Sequence, residues 1–470
     1  MRDVSRRGFL GTSAAALATS LVVTPAMTTQ AEAYEYTPPN QMPCSKEREE
    51  LNRILTQAPK PRVVKVSDRV FCAVDYALAN MIMVETADSV VIIDTTESLT
   101  VAQTVMAEFR KISPKPVKAV IYTHNHADHF RGTKACFQEG LKVIAHEDFM
   151  KEVKLQQSRG RSAIVRGIAM FGLSFPVQER FPWPGTSPEV TAGRLMWEDV
   201  KKEDLIFPNQ TFKDKYSFHE GGLTFNLIHA PGETPDQLIV HVPELKFVCC
   251  ADNYYPCFPN LYTIRGTSNR PVMDWANSQD KAMALAPEFL VPCHGSHIEG
   301  KSKIREVLGN YRDAIKYVYN YTLEAVAQYK PVHEAAAQVA LPPKLADLPY
   351  LKQYYGGLPY CVRSIYDSIV GWFDGDPVNL SPLSKKELGH EILQLAGSAE
   401  KVLAQAEKAQ KAGRHQATLE LCDMVLTNDP DNKAAHQMKA VSFFALSQNT
   451  INMPTVNYYR TAAAMEKKKG

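Results

Sequence analysis

Thr123-His124-Asn125-His126-Ala127-Asp128-His129 constrains this chain more than any other stretch. It follows directly on an apolar, β-type run (Val117, Ala119, Val120, Ile121, Tyr122) and sets four potential metal ligands within six residues. Imidazole and carboxylate are the donors zinc takes when one position stays open for water. His124 and His126 are two apart, so in an extended segment they point the same way and can share one ion. Asp128 and His129 follow where the chain turns, within reach of a second ion. The spacing predicts a two-metal hydrolase site at the end of a β-strand.

The chain has 470 residues, 45% of them hydrophobic, enough for a large core and two folded domains. A formal charge of +2 gives no reason to expect nucleic acid or an anionic membrane as partner. Residues 1–33 read as a leader. Ser5-Arg6-Arg7-Gly8-Phe9-Leu10 is a twin-arginine export pattern, a small and apolar run extends from Thr12 to Val23, and Ala31-Glu32-Ala33 fits a cleavage site before Tyr34. That run is too short to span a bilayer, and no later segment offers about 18 unbroken apolar residues. A soluble protein, periplasmic or secreted and without a membrane anchor, is expected. The nine cysteines form no Cys-x-x-Cys pair and read as buried small hydrophobes.

From residue 63 the pattern alternates β-type runs (63–66, 70–74, 81–84, 90–93) with one helix over 99–112, for which Ser98 or Thr100 is the cap. A strand 117–122 precedes the histidine turn, and another is expected at 142–145. Residues 147–200, with Pro176, Pro182, Pro184 and Pro188, read as an irregular insertion that walls the site. Strands are expected at 211–218, 223–228, 237–242 and 246–251, a helix at 272–284 and a buried strand at 289–291. From Lys301 onward the pattern is helical, with one tetratricopeptide-like hairpin near Ala412-Gly413-Arg414 and Asp429-Pro430. The expected architecture is an α/β metal-binding domain (34–335) followed by an all-α domain (336–470).

Two ions need more ligands than one turn supplies, and three later strand ends offer them. These are Ala230-Pro231-Gly232-Glu233-Thr234-Pro235, Ala251-Asp252-Asn253 and Pro292-Cys293-His294-Gly295. This order of a histidine cluster, a single ligand, a bridging carboxylate and a final histidine resembles the metallo-β-lactamase superfamily over about residues 60–300. Glu233, where most of that superfamily has histidine, resembles its alkylsulfatase branch. So do Asn260-Leu261-Tyr262-Thr263-Ile264-Arg265-Gly266, Tyr354-Tyr355-Gly356, Val362-Arg363-Ser364-Ile365-Tyr366, Gly371-Trp372-Phe373-Asp374-Gly375 and Asn457-Tyr458-Tyr459-Arg460-Thr461-Ala462. The lipid-carrier-like C-terminal domain of many alkylsulfatases has no counterpart before Gly470.

The resemblance implies an αββα sandwich, an all-α dimerisation domain and a homodimer. It implies two Zn²⁺ per chain, or another divalent metal. One ion would be held by His124, His126 and Glu233 and the other by Asp128, His129 and His294, with Asp252 bridging where the family usually has glutamate. Asp128 also stands as the catalytic residue, and Asn260 and Arg265 as binders of a sulfate ester. Arg265 offers a planar fork suited to a tetrahedral oxyanion. Asp94 resembles a buried aspartate that orients the histidine turn. His229, His146 and His297 are weaker candidates, and residues 166–175 a candidate apolar wall. Competing readings are another ester, lactone or β-lactam on the same metal core, and a helical interaction protein with a vestigial metal domain.

Overall fold

The computed structural model describes residues 44–56, 60–176, 193–198 and 200–470. The export pattern and the cleavage site lie outside them, as do Pro182, Pro184 and Pro188. Helix α1 (Lys46–Thr56) leads into a seven-stranded sheet of β1 (Arg62–Lys65), β2 (Val70–Val74), β3 (Met81–Glu85), β4 (Val90–Ile93), β5 (Val117–Ile121), β6 (Lys142–His146) and β7 (Gln210–Phe212). Neighbours follow chain order, antiparallel from β1 to β4 and parallel from β4 to β7. The second sheet holds β8 (Lys215–Glu220), β9 (Leu223–His229), β10 (Leu238–Val242), β11 (Phe247–Ala251), β12 (Phe289–Pro292) and β13 (Ile298–Glu299). Its β11 and β12 are parallel and its other pairs antiparallel.

Strands covered on both faces need continuous apolar sequence, and β2, β4 and β11 are buried at every residue. On one face Val84, Ile93 and Ile121 meet Leu227, Val240, Cys249 and Val291 of the other sheet. On the outer face of the first sheet lies α2 (Leu99–Ile112), through Val105, Met106 and Phe109. Ser98 caps it, its side chain accepting from Val101 N. The turn helix α3 (Ala127–Phe130) follows β5, and α4 (Phe149–Ser158) and α5 (Gly160–Phe171) follow β6. The second sheet is covered by α6 (Val272–Ala284) and α7 (Lys301–Ala327), whose Trp275, Leu308, Tyr311 and Ile315 pack with Ile239, Val248 and Leu290. This is the expected helix–sheet–sheet–helix sandwich.

The rest is helical: α8 (Val332–Gln338), α9 (Pro343–Ala346), α10 (Leu358–Val370), α11 (Lys385–Ala396), α12 (Ala399–Lys411), α13 (His415–Leu426), α14 (Lys433–Gln448) and α15 (Met453–Lys467). Leu358, Val362 and Ile365 of α10 and Met453 and Val456 of α15 share the apolar cluster of the second sheet. Helix α15 also lies on α5, where Asn457 Nδ2 donates to Met170 O at 2.9 Å and Tyr458 OH to Arg166 O at 3.0 Å. No helix among the described residues is long and apolar enough to cross a membrane.

Two expectations change. Residues 211–218 are not one strand. The polar pair Lys213-Asp214 breaks the run, so β7 closes the first sheet and β8 opens the second. Residues 149–171 are not irregular but two helices meeting at Arg159-Gly160, where Gly160 takes φ +53°; the prolines that suggested irregularity begin only at Pro176.

Candidate active site

Strand geometry brings the chemistry together. The turn with His124 and His126 leaves β5, the loop with Glu233 leaves β9, Asp252 follows β11 and His294 follows β12. Asp94 (φ 56°) and Ala251 (φ 55°) are left-handed at the ends of β4 and β11, a costly backbone for residues other than glycine and one that concentrates at functional sites. The bends re-aim the carboxylates of Asp94 and Asp252. Asp94 then accepts from Thr123 N at 2.8 Å, Thr123 Oγ1 at 2.7 Å, His129 Nδ1 at 2.7 Å and Cys293 Sγ at 3.1 Å. One buried carboxylate thus ties the histidine turn to the loop of His294. Opposite, His294 Nδ1 lies 2.8 Å from Leu78 O, and Asn80 Nδ2 donates to Pro292 O and Gly295 O.

His124, His126, Glu233 and Asp252 form one cluster of donors and Asp128, His129 and His294 another, the donors of each lying within 4.8 Å of one another. His124 Nε2 and His126 Nδ1 are 3.0 Å apart. Asp252 Oδ2 stands between the clusters, 3.6 Å from His124 Nε2, 3.5 Å from His129 Nε2 and 3.1 Å from His294 Nε2. Asp128 Oδ2 is 3.4 Å from His129 Nε2 and 3.5 Å from His294 Nε2. The donor set suits divalent ions of the zinc kind. Buried His129 Nε2 and Asp252 Oδ1 have no hydrogen-bond partner, and such atoms call for a ligand. Asp94, His129 and Cys293 also cluster, but the 2.7 Å hydrogen bond between the first two leaves no gap for an ion.

Charge inside the site is balanced pairwise. Burial, reinforced by neighbouring cations, holds the His124 and His126 imidazoles well below their usual range. For Asp252, burial would raise the carboxyl, but His294, His129 and His124 outweigh it and hold it well down. Against burial, Asp252 and Asp128 push His294 up to about 9. Burial raises Glu233 to about 7 although Arg270 opposes it.

Arg265 and Asn260 reach the same region. Arg265 Nη2 lies 3.3 Å from His126 Nε2, and its Nη1 donates to Thr263 Oγ1 at 2.9 Å. Asn260 is buried, its N–H donating to Tyr255 OH at 2.7 Å. Tyr255 in turn packs edge-on to His294, ring centroids 6.2 Å apart. Two residues escaped the sequence reading. Arg270 is buried, ion-paired with Glu233 and donating to Asn260 O, so it links a candidate ligand to the candidate substrate loop. Glu97 is buried and accepts from Leu78 N at 3.1 Å and Met196 N at 2.6 Å. A lone arginine before proline and a glutamate in a polar strand end carry no spacing signal. His146 and His229 stack on each other at 4.0 Å and, like His297, join none of the donor clusters. Of the candidate wall, Met170 and Phe175 are buried, and Met170 Sδ accepts from Thr263 Oγ1 at 3.3 Å.

Comparison with known proteins agrees with this arrangement. The metallo-beta-lactamase superfamily matches residues 75–294 and alkyl sulfatase dimerisation residues 331–469. A linear primary-alkylsulfatase of a Pseudomonas species is 34% identical over 390 residues, covering 81% of this chain and 72% of that protein. An (R)-specific secondary-alkylsulfatase of a Pseudomonas species is 30% identical over 411 residues, covering 83% of this chain but 60% of that one. A solved double mutant of the sec-alkyl sulfatase PisA1 superposes with TM-score 0.80 at 26% identity, covering 89% of this chain and 67% of that chain. The chain belongs to the alkylsulfatase branch of the metallo-β-lactamase superfamily, a branch of sulfuric ester hydrolases.

Proposed function

We propose that this protein hydrolyses organic sulfate esters, alkyl sulfates in the first instance, to an alcohol and inorganic sulfate with two divalent ions, zinc by preference. The observation that carries the reading is the position of Asp252 Oδ2 between two donor clusters, with Arg265 set against His126 at their edge. His124, His126 and Glu233 would hold one ion, Asp128, His129 and His294 the other, and Asp252 both. Such ions, when bound, supply Lewis acidity that lets water ionise near neutral pH. The chain's own residues do the positioning. Asp94 accepts from His129 Nδ1, which leaves the Nε2 lone pair for a metal. The Arg265 guanidinium and the Asn260 amide offer donors to the sulfate oxygens, and charge-assisted bonds of this kind gain strength away from bulk water. Arg270 keeps Glu233 and the Asn260 loop in register. Export through the twin-arginine route to the periplasm, and a homodimer formed through the helical region, belong to the same reading.

The test is sulfate release from short and long alkyl sulfates and an aryl sulfate by metal-analysed protein, with Asp128→Ala as the blank. Release by the wild type alone is the expected result. Two bound metals without release from any ester would sink the sulfatase reading and direct the search to β-lactams and lactones.

A further inference from the structure

The loop that carries Arg265 is flanked by a second guanidinium the sequence did not single out. Arg159 stands half-buried at the junction of α4 and α5, and its Nη2 donates to Ser268 Oγ at 3.1 Å, three residues beyond Arg265. Glu152 and Gln156 of α4 and Arg159 at its C-cap fall on one face by their four- and three-residue spacing. Gln156 Nε2 donates to Asn125 Oδ1, so this face borders the turn that presents His124 and His126. Burial and then Arg265 hold the Arg159 guanidinium below its ordinary range. Farther along the same wall Arg166 Nη2 donates to Ile264 O at 3.1 Å. Among the described residues none of Arg159, Arg166 and Arg265 forms an ion pair with a carboxylate within 4 Å. Arg270 differs, being ion-paired with Glu233. Glu152 on that face attracts Arg159 without forming an ion pair with it within 4 Å, and burial pushes its carboxyl up.

Two guanidinium groups on adjoining segments, neither in an ion pair with a described carboxylate, leave positive charge that an anion can offset. A single sulfate ester carries one negative charge and is directed to Arg265. Resting on the sulfatase reading, we propose that Arg159 binds a second anionic group of the substrate. The preferred esters are then sulfates that also carry a carboxylate or a second sulfate some carbons away from the reacting ester. Arg159 takes no part in bond cleavage. It acts in recognition, and a fork of N–H donors suits either oxyanion.

The experiment compares, on the metal-loaded protein, alkyl sulfates with ω-carboxyalkyl sulfates of equal carbon number across a range of lengths. At the best length the carboxylate ester is expected to have a kcat/KM higher by roughly tenfold or more, most of it in KM. Arg159→Ala removes that ratio, Arg159→Lys retains part of it, and added salt shrinks it. Binding of a non-hydrolysable ω-carboxyalkyl sulfonate, followed by calorimetry, should weaken by a similar factor in Arg159→Ala. A ratio at or below one at every length, or a ratio untouched by Arg159→Ala, overturns the proposal while leaving the sulfatase reading standing. No release from either kind of ester overturns that reading and this proposal together.

Discussion

At the scale of single residues, Asp94 and Arg270 do for the site what its ligands cannot do for themselves. Asp94 fixes the tautomer of His129 and holds Thr123 and Cys293 with the same carboxylate. Asp94→Asn is therefore expected to weaken metal binding by about 10–100-fold in chelator competition, with the far-ultraviolet spectrum retained. Unchanged affinity would mean that His129 is oriented by something else. Arg270 and Glu233 are both buried, and removing one partner leaves the other charge uncompensated. Arg270→Leu should lose about 3–5 kcal/mol in urea unfolding, and Arg270→Leu with Glu233→Leu should recover part of it; an equal loss in the double variant would refute the pairing argument. Asp236 supplies the pH dependence. It is buried, it accepts from Asn125 Nδ2 at 2.6 Å, and burial raises its carboxyl to about 7. The folded state then binds a proton that the unfolded chain releases near pH 4, so this group costs stability as pH rises between about 4 and 7 and no more above that. Asp236→Asn keeps an acceptor and removes the titration. Its stability relative to wild type should be greater at pH 8 than at pH 5, and a difference independent of pH would contradict the assignment.

At the scale of elements, the helical region meets the candidate substrate loop through a backbone contact. Gly356 N donates to Phe258 O, and a Cβ on Gly356 would stand 2.1 Å from Pro259 O. Asn452 locks the same turn, capping α15 at Thr455 N while its amide donates to the carbonyls of Gln353 and Tyr355 at 3.1 and 2.9 Å. Gly356→Ala should therefore push the 258–260 segment out of place and lower kcat/KM for alkyl sulfates at least tenfold with metal content unchanged. Full activity would show that the loop tolerates the displacement. This contact also marks the limit of what the sequence discloses. The histidine turn, the strands 70–74 and 90–93 and helices 99–112 and 272–284 are legible because apolar periodicity and ligand spacing are local signals. The α4–α5 pair is less so, since few of its side chains are buried and its pattern is weak. Arg270, Glu97 and Gly356 act through partners 37, 19 or about 100 residues away in the chain, and no spacing rule reports such pairs.

At the scale of the whole molecule, the unexplained feature is an apolar rim on the helical region. Trp372 is 73% exposed, Val378 75%, and Val370, Leu380 and Leu383 are exposed beside them along residues 370–383. Monomers seldom expose such runs, and clustered ones mark association sites. The same stretch falls within the part matched as alkyl sulfatase dimerisation. A homodimer through this arm would bury these side chains against a second copy. Because α10 carries Val370 at its end and also packs in the cluster that covers the second sheet, the interface would stiffen the scaffold beneath Asp252 and His294. Light scattering on the wild type should give twice the chain mass at micromolar concentration. Trp372→Glu combined with Leu380→Glu should shift it to the mass of one chain, because two carboxylates cannot be desolvated in an apolar contact without a counter-charge. Metal content should persist in the double variant, since no metal-donor candidate lies in the arm, while its melting temperature falls and ceases to depend on protein concentration. A wild type that already runs as a monomer would rule out the homodimer. A double variant that remains dimeric would move the interface elsewhere on the helical region, and Leu395, 87% exposed on α11, would be the next position to charge.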